Sequence, residues 1–263
     1  MVNKFFSLIK TIRLYKNWPL VLRLSFGNFK NWPVVIQLRN GIKYNLHNEG
    51  DLHVLKEIWT FNHYGKFLDY IKDGSVVIDI GSHIGIFSIR AAKRAHDVQV
   101  FSFEPLPENF KILKSNIEIN NLEKNIILFP LAVSGDGEER NLNILARTGS
   151  SITNDFKGGF SGRIKTPTIT LKKIFDDNEI DCCDFLKIDC EGAEYEILYN
   201  TPPEILKRVK TITLESHDYF RDKKGELKKI LEDNGFIVDV EKNNFSEKTP
   251  VIWTNLLFAA RKN

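Results

Sequence analysis

The stretch Val76-Val77-Ile78-Asp79-Ile80-Gly81-Ser82-His83-Ile84-Gly85 decides how this chain is read. Its first five residues are apolar but for one acid and mostly β-branched, the pattern of a short strand covered on both faces. A glycine turn follows, then a run over 86–94 with the composition of a helix. Gly81 lets the chain turn tightly, and Gly85 lets the helix pack close to the strand. Asp79 falls at the carboxyl end of that strand, the edge where open α/β sheets bind ligands. The next apolar run, 98–103, leads into a second acid, Glu104. Two carboxylates at neighbouring strand tips, over a glycine turn, suit a ligand with hydroxyls and a positive charge.

Spacing separates two ligand classes. A dinucleotide fingerprint needs G-x-G-x-x-G. Counted from Gly81, its second glycine falls on His83 and its third on Ile86, so the fingerprint fails twice. What stands is D-x-G-x-x-x-G, a loop expected to bring amides near a ligand carboxylate without the close approach a pyrophosphate needs. S-adenosylmethionine has such a carboxylate, with an ammonium, a sulfonium and a ribose diol. Glu104 is placed to accept both ribose hydroxyls. The bland alternative is a glycine turn in some other α/β domain, because short motifs recur by chance.

At 263 residues the chain fits one large domain, or one domain with a small extension. With 42% hydrophobic and 27% charged residues the composition is that of an ordinary globular protein. A net charge of +3 makes no electrostatic case for nucleic acid. The three cysteines, Cys182, Cys183 and Cys190, have no metal-site spacing, and the adjacent pair is a poor disulfide candidate. All three read as small buried residues in a reduced, cytoplasmic setting. No apolar stretch reaches the ~18 residues of a spanning helix.

Residues 1–30 read as an amphipathic helix, a break at Trp18-Pro19 and a second short apolar piece. Phe5, Phe6, Leu8, Ile9, Ile12 and Leu14 alternate with Lys4, Lys10, Arg13 and Lys16. The lysines interrupt the apolar run and no small-residue cleavage site follows, which argues against a secretory signal. The first acidic residue of the chain is Glu49. This asymmetry suits an anionic surface such as lipid headgroups, with peripheral attachment at the inner membrane surface. The alternative is a helix packed on the domain with its basic face in water.

Residues 1–50 are thus expected to form a basic segment and a β-hairpin, the latter with Asn40-Gly41 at its turn. Residues 51–263 are expected to form the ligand-binding domain. Asp51 reads as the cap of a helix reaching about residue 62, and 64–72 as a second short helix. From Val76 strands alternate with helices: strands at 76–80, 98–103, 126–131, 185–188 and 211–214, and helices at 86–94, 107–120, 192–199 and 225–234. That rhythm implies a doubly wound, mostly parallel sheet. The glycine-rich connection 134–170 breaks it as a hairpin or irregular insertion, a candidate lid. Strands at 236–240 and 256–260, joined by a polar turn, read as antiparallel neighbours closing the sheet.

A second strand-turn-helix carries acids at its tip: Leu186-Lys187-Ile188-Asp189-Cys190-Glu191-Gly192-Ala193-Glu194. Glu194 reads as a helix cap. Asp189 and Glu191 are candidates for the acceptor side of the site, as is Glu215 at the end of the next strand. His217, two residues on, is the candidate general base, since a near-neutral imidazole can take a hydroxyl proton. A divalent cation on Asp189, Glu215 and Asp218 is the rival arrangement.

The glycine loop, Phe103-Glu104-Pro105 with Glu108-Asn109-Phe110, and the Asp189 motif, taken in this order, resemble the FkbM family of S-adenosylmethionine-dependent methyltransferases. Asp51, Glu57 and Tyr64 resemble that family's lead-in to the loop. The resemblance runs from about residue 51 to 217. It implies a class I methyltransferase fold, Rossmann-like, and O-methylation of a sugar, glycan, glycolipid or natural-product hydroxyl. It also implies cofactor contacts at Asp79, Gly81, Glu104 and Ala132; His83, Gly85, Pro105, Asn109 and Asp189 complete the expected cofactor site. A dinucleotide-dependent oxidoreductase and a non-catalytic methyltransferase-like binding module are the alternatives.

Overall fold

The computed structural model describes residues 2–27, 29–145, 150–151, 160–217, 224–242 and 254–261. The chain opens with helices α1 (Val2–Leu14) and α2 (Trp18–Ser25), then a hairpin of β1 (Val34–Gln37) and β2 (Lys43–Leu46). Pro19 sits in the first turn of α2, where a missing N–H costs nothing, so the Trp18-Pro19 pair starts the second helix. The hairpin pairs Val34 with Leu46 and Gln37 with Lys43. Helix α3 (Glu49–Leu55) continues into a π-helical turn, Lys56–Thr60. Its cap is Asn48, not Asp51. The Asn48 side chain accepts from the Asp51 N–H, while Asp51 Oδ2 accepts from the His47 N–H at 2.6 Å. Over 64–72 the regular structure is a 3-10 turn, Phe67–Tyr70.

The alternating part follows as β3 (Val76–Ile80), α4 (Ile86–Ala92), β4 (Gln99–Phe103), α5 (Pro107–Glu118), β5 (Ile126–Phe129) and β6 (Ala132–Val133). The connection after it holds β7 (Arg140–Leu145), β8 (Ser150–Ser151), β9 (Phe160–Thr166) and β10 (Thr168–Ile169). Then come α6 (Leu171–Asp177), β11 (Phe185–Ile188), α7 (Glu194–Asn200), α8 (Pro203–Leu206), β12 (Thr211–His217), α9 (Lys224–Asp233), β13 (Phe236–Lys242) and β14 (Thr254–Arg261).

The main sheet runs β13-β14-β12-β11-β3-β4-β5. Its four inner pairings from β12 to β5 are parallel, and β14 slots antiparallel between β12 and β13. This is the class I methyltransferase architecture: a doubly wound, mostly parallel sheet closed by a C-terminal antiparallel hairpin. The 134–170 connection is a three-stranded antiparallel sheet, β8-β7-β9, tethered by the parallel pair β6–β10. Among the described residues no helix is long and apolar enough to cross a membrane.

Strand alternation divides the core into two layers. Val77, Val100 and Phe185 face one side, against Phe87, Ile89 and Leu113. Ile78, Phe101, Leu186 and Ile212 face the other, against Ile174, Ile197 and Leu231. The first layer also takes Tyr15, Val21, Ile36, Tyr44 and Leu46, so the first fifty residues and the sheet share a core on that side. The C-terminal end of α5 holds the hairpin through Asn116, in the helix, and Asn120, just beyond it. Asn116 Oδ1 accepts from the Asn45 N–H at 2.6 Å, and Asn120 Oδ1 from the Lys43 N–H at 2.9 Å.

Candidate active site

The tip of β3 is built on an ion pair. Asp79 shares parity with Val77, so its side chain enters the α4 layer, where it is fully buried. Oδ2 accepts from the Ser88 hydroxyl at 2.5 Å, and Ser88 Oγ in turn accepts from Ser102 Oγ at 2.8 Å. Oδ1 faces Lys187 Nζ at 3.1 Å. The same ammonium reaches Asp189 Oδ2 at 3.3 Å and the Gly81 carbonyl at 3.2 Å. Two carboxylates thus flank the ammonium as ion pairs, and the Gly81 carbonyl accepts a hydrogen bond from it. Burial by itself would lower the Lys187 pKa, but Asp79 and Asp189 outweigh it and the amine is held well above its ordinary value. Lys187 was not among the residues expected from sequence. The signal was present, since a lysine inside a four-residue buried strand requires a counter-charge, and β3 supplies Asp79 in register with it.

The glycine loop spends its amides inside the protein. The Gly81 and Ser82 N–H groups both donate to the Phe103 carbonyl at 3.0 Å, and the His83 N–H donates to Glu104 Oε2 at 2.9 Å. The expectation that these amides face a ligand carboxylate is therefore corrected: β4 takes them. Gly81 has φ +79°, and a Cβ there would lie 1.8 Å from the Asp189 carbonyl oxygen, so the tips of β3 and β11 touch only because residue 81 lacks a side chain. Gly85 also needs its positive φ, +85°, but its close neighbour is Leu113 Cδ1 on α5, 2.4 Å from a built Cβ, rather than the preceding strand.

Over these tips lies a cavity with about 890 Å³ of open space, part of it continuous with solvent. Gly81, His83, Glu104, Pro105, Asn109, Ala132, Asp189 and Glu191 line it. Asp79 and Gly85 do not line it; the first lies beneath the loop on Lys187, and the second packs on α5. Val54, Ile58, Phe87 and Leu142 add apolar wall from α3, the π turn, α4 and β7, none of which the sequence had marked. Glu215 is not on the wall; the β11–β12 register, with Ile188 opposite Leu214, sets it beside Asp189 at the strand tips. The His217 backbone pairs with Thr254, and the His217 side chain lies outside the described residues, as does Asp218. Among the described residues no group of three His, Cys, Asp or Glu side chains converges on a metal position.

Glu104 is the most engaged acid of the cavity. Oε1 accepts from the Leu106 N–H at 2.9 Å and from Asn109 Nδ2 at 3.4 Å, beside the His83 bond on Oε2. Burial pushes its carboxyl up to about 7; the Leu106 and His83 amides offset only part of this. A carboxylate has about four acceptor positions. One remains open, and the long Asn109 bond is the one a ribose hydroxyl can replace. His83 adopts φ +51°, and its Nε2 lies 3.6 Å from Asp51 Oδ1, a fully buried carboxylate. Burial lowers the His83 pKa, against the pull of Asp51.

The β11 turn is shaped by Glu194, whose Oε1 accepts from the Cys190 N–H at 3.1 Å and the Gly192 N–H at 3.2 Å; it ties the turn before α7 and does not cap the helix, whose N-cap is Ala193 with no side-chain bond. Of the three cysteines, all free thiols, only Cys183 is fully buried. Cys182 and Cys190 are half-exposed, which corrects the expectation for both, and Cys190 lines the cavity. Burial, together with Glu194 and Asp189, raises its pKa and keeps the thiol protonated.

The Glu104 carboxylate at the second strand tip, the apolar walls and the further acids at the β11 tip make a lining that fits S-adenosylmethionine. Residues 79–238, more than half of the chain, match the family model of the methyltransferase FkbM domain. The chain belongs to the FkbM family of S-adenosylmethionine-dependent methyltransferases. The FkbM match contains both strand tips and the Glu104 motif, whereas Asp51 and Val54 precede it. Among curated relatives, the 31-O-demethyl-FK506 methyltransferase FkbM of Streptomyces tacrolimicus is 25% identical over 236 residues, which cover 78% of this chain and 90% of that protein. Methyltransferase sdnD of Sordaria araneosa is 23% identical over 215 residues, 70% of this chain and 81% of that one. Among solved structures, M. jannaschii TYW2 in complex with AdoMet aligns at 16% identity with a TM-score of 0.47, over 90% of each chain.

Proposed function

We propose that this FkbM methyltransferase methylates oxygen, on a hydroxyl of a sugar, glycan, glycolipid or natural product. The observation that carries this reading is Asp189. Its carboxylate sits on the cavity wall, and Lys187 fixes it from below, so it can orient a hydroxyl without swinging away. The name of the Streptomyces relative, 31-O-demethyl-FK506 methyltransferase, points to methylation of an oxygen and supports this reading. Bound in the cavity, S-adenosylmethionine supplies an electrophilic methyl on a sulfonium. Glu104 would accept the ribose hydroxyls, with His83, Pro105, Asn109 and Ala132 shaping the rest of the nucleoside side. The apolar residues Val54, Ile58 and Phe87 exclude water. Holding donor and acceptor in line contributes as much as ~7–11 kcal/mol in favourable cases.

An alcohol must also lose its proton. Asp189, Glu191 and Glu215 at the strand tips, with His217 two residues beyond, are the candidate acceptors, His217 being the proposed base. On that reading turnover survives a chelator, and His217→Ala lowers kcat by roughly 10²–10⁴-fold with cofactor affinity unchanged. Loss of turnover on chelation, restored by Mg²⁺, would transfer the role to a cation.

Methyl-labelled S-adenosylmethionine with matched hydroxyl, amine and thiol acceptors, read by mass analysis, tests the reaction class. Label on oxygen is the expected result; label on nitrogen, sulfur or carbon overturns the proposal. The dinucleotide alternative gains nothing from the fold, since the position of its third glycine is held by Ile86, a buried core residue.

A further inference from the structure

Helices α1 and α2 carry a face that methyl transfer does not use. Thr11, Tyr15, Val21 and Leu24 turn into the core. Lys10, Arg13, Lys16, Arg23 and Lys30 are all exposed, and no acid precedes Glu49. Phe26, just past the end of α2, is 86% exposed, more than any other large apolar side chain among the described residues. A few residues on, the chain holds an aromatic pair. Phe29 and Trp32 meet edge to face with centroids 5.5 Å apart, the Trp32 Nε1–H donates to the Phe29 carbonyl at 3.0 Å, and the Arg23 guanidinium lies 5.6 Å from the Phe29 centroid. Arg23, Gly27, Phe29, Lys30 and Asn31 line a shallow groove with a cation at two of its positions.

We propose that this tip docks on an anionic phospholipid bilayer, with Phe26 entering the headgroup–acyl boundary and Arg23 and Lys30 taking lipid phosphates. An exposed apolar side chain next to a groove that holds two cations and an aromatic ring is the composition of an interfacial anchor. A nucleic acid would use the cations and leave Phe26 in water. The tip is also tied to the cavity. Lys56 Nζ donates to Ser25 Oγ at 3.1 Å, and Val54 and Ile58, two residues to either side of Lys56, line the cavity wall. On the methyl-transfer reading above, docking would present the cavity to lipid-linked acceptors.

The test reads binding without turnover, so it stands or falls separately from that reading. The full chain is sedimented with phosphatidylcholine vesicles, with and without phosphatidylserine. The expected result is partition onto the anionic vesicles alone, weakened by salt. Phe26→Ser should reduce it roughly tenfold, and Arg23→Glu with Lys30→Glu roughly thirtyfold. Ile237→Ser, at an exposed apolar side chain on β13, should change nothing. Thermal melts confirm that each variant is folded. Absence of binding, equal binding to neutral vesicles, or indifference to Phe26→Ser overturns the proposal. So does binding to single-stranded RNA in place of vesicles.

Discussion

Lys187 and Glu104 show how burial sets the chemistry of single residues here. Lys187→Met would leave Asp79 fully buried without its counter-charge. We expect a loss of roughly 3–5 kcal/mol by urea unfolding, with part recovered when Asp79→Asn is added. A loss under about 1 kcal/mol would mean that the ion pair does not hold the two strand tips together. For Glu104 the folded pKa, about 7, exceeds its ordinary 4.5. Its contribution to stability is therefore present below pH 4.5 and lost as pH rises through about 7. Ribose hydroxyls donate to the ionised carboxylate, so affinity for S-adenosylmethionine should rise with pH through about 7 and then level off. Calorimetry on Glu104→Gln should show binding at least about tenfold weaker above that pH and no such pH dependence. A pH-independent wild type would remove the carboxylate from the ribose.

At the scale of elements, the contact between the tips of β3 and β11 rests on Gly81. Two glycines separate its two requirements. Gly81 has φ +79° with Asp189 O 1.8 Å from a built Cβ, whereas Gly137 has φ +77° with its nearest atom, Thr170 Cγ2, at 3.4 Å. Gly137→Ala should cost about 1 kcal/mol for backbone conformation alone. Gly81→Ala must in addition part the strand tips and move Asp189. We expect a further ~1–3 kcal/mol and loss of cofactor binding. Equal melting temperatures for the two variants would show that the loop yields freely.

For the whole molecule, the open question is whether residues 1–50 are an appendage. Tyr15, Val21, Ile36, Tyr44 and Leu46, all at 0% exposure, pack in the same layer as Val77 and Phe87. Tyr44 also donates its hydroxyl proton to the Ile86 carbonyl at 3.2 Å, at the start of α4, and accepts from Trp59 Nε1–H at 3.1 Å. A chain starting at residue 48 would uncover this layer of the sheet. It should lose its cooperative thermal transition and bind a hydrophobic dye. A sharp, dye-free melt would show instead that residues 48–263 fold alone.

What the sequence by itself determined is what local chemistry encodes. Four β-branched apolar residues around one acid, a glycine turn and a helix start place β3 and α4; Asn40-Gly41 places the hairpin; the alternation of runs sets the doubly wound order; and acids next to strand ends mark Glu104, Asp189 and Glu191 as cavity residues. Each depends on a period of two or on a turn a few residues long. Only the tertiary structure decided where side chains spend their bonds. Asp79 looked like a ligand contact because it stands at a strand tip, yet its parity turns it toward Lys187, more than a hundred positions away in sequence. The loop amides looked free because their acceptor, the Phe103 carbonyl, belongs to another strand. Val54, Ile58 and Leu142 join one wall from segments that precede and follow the matching motifs. No local pattern announces such meetings, because they depend on which layers pack together and how closely the backbones approach.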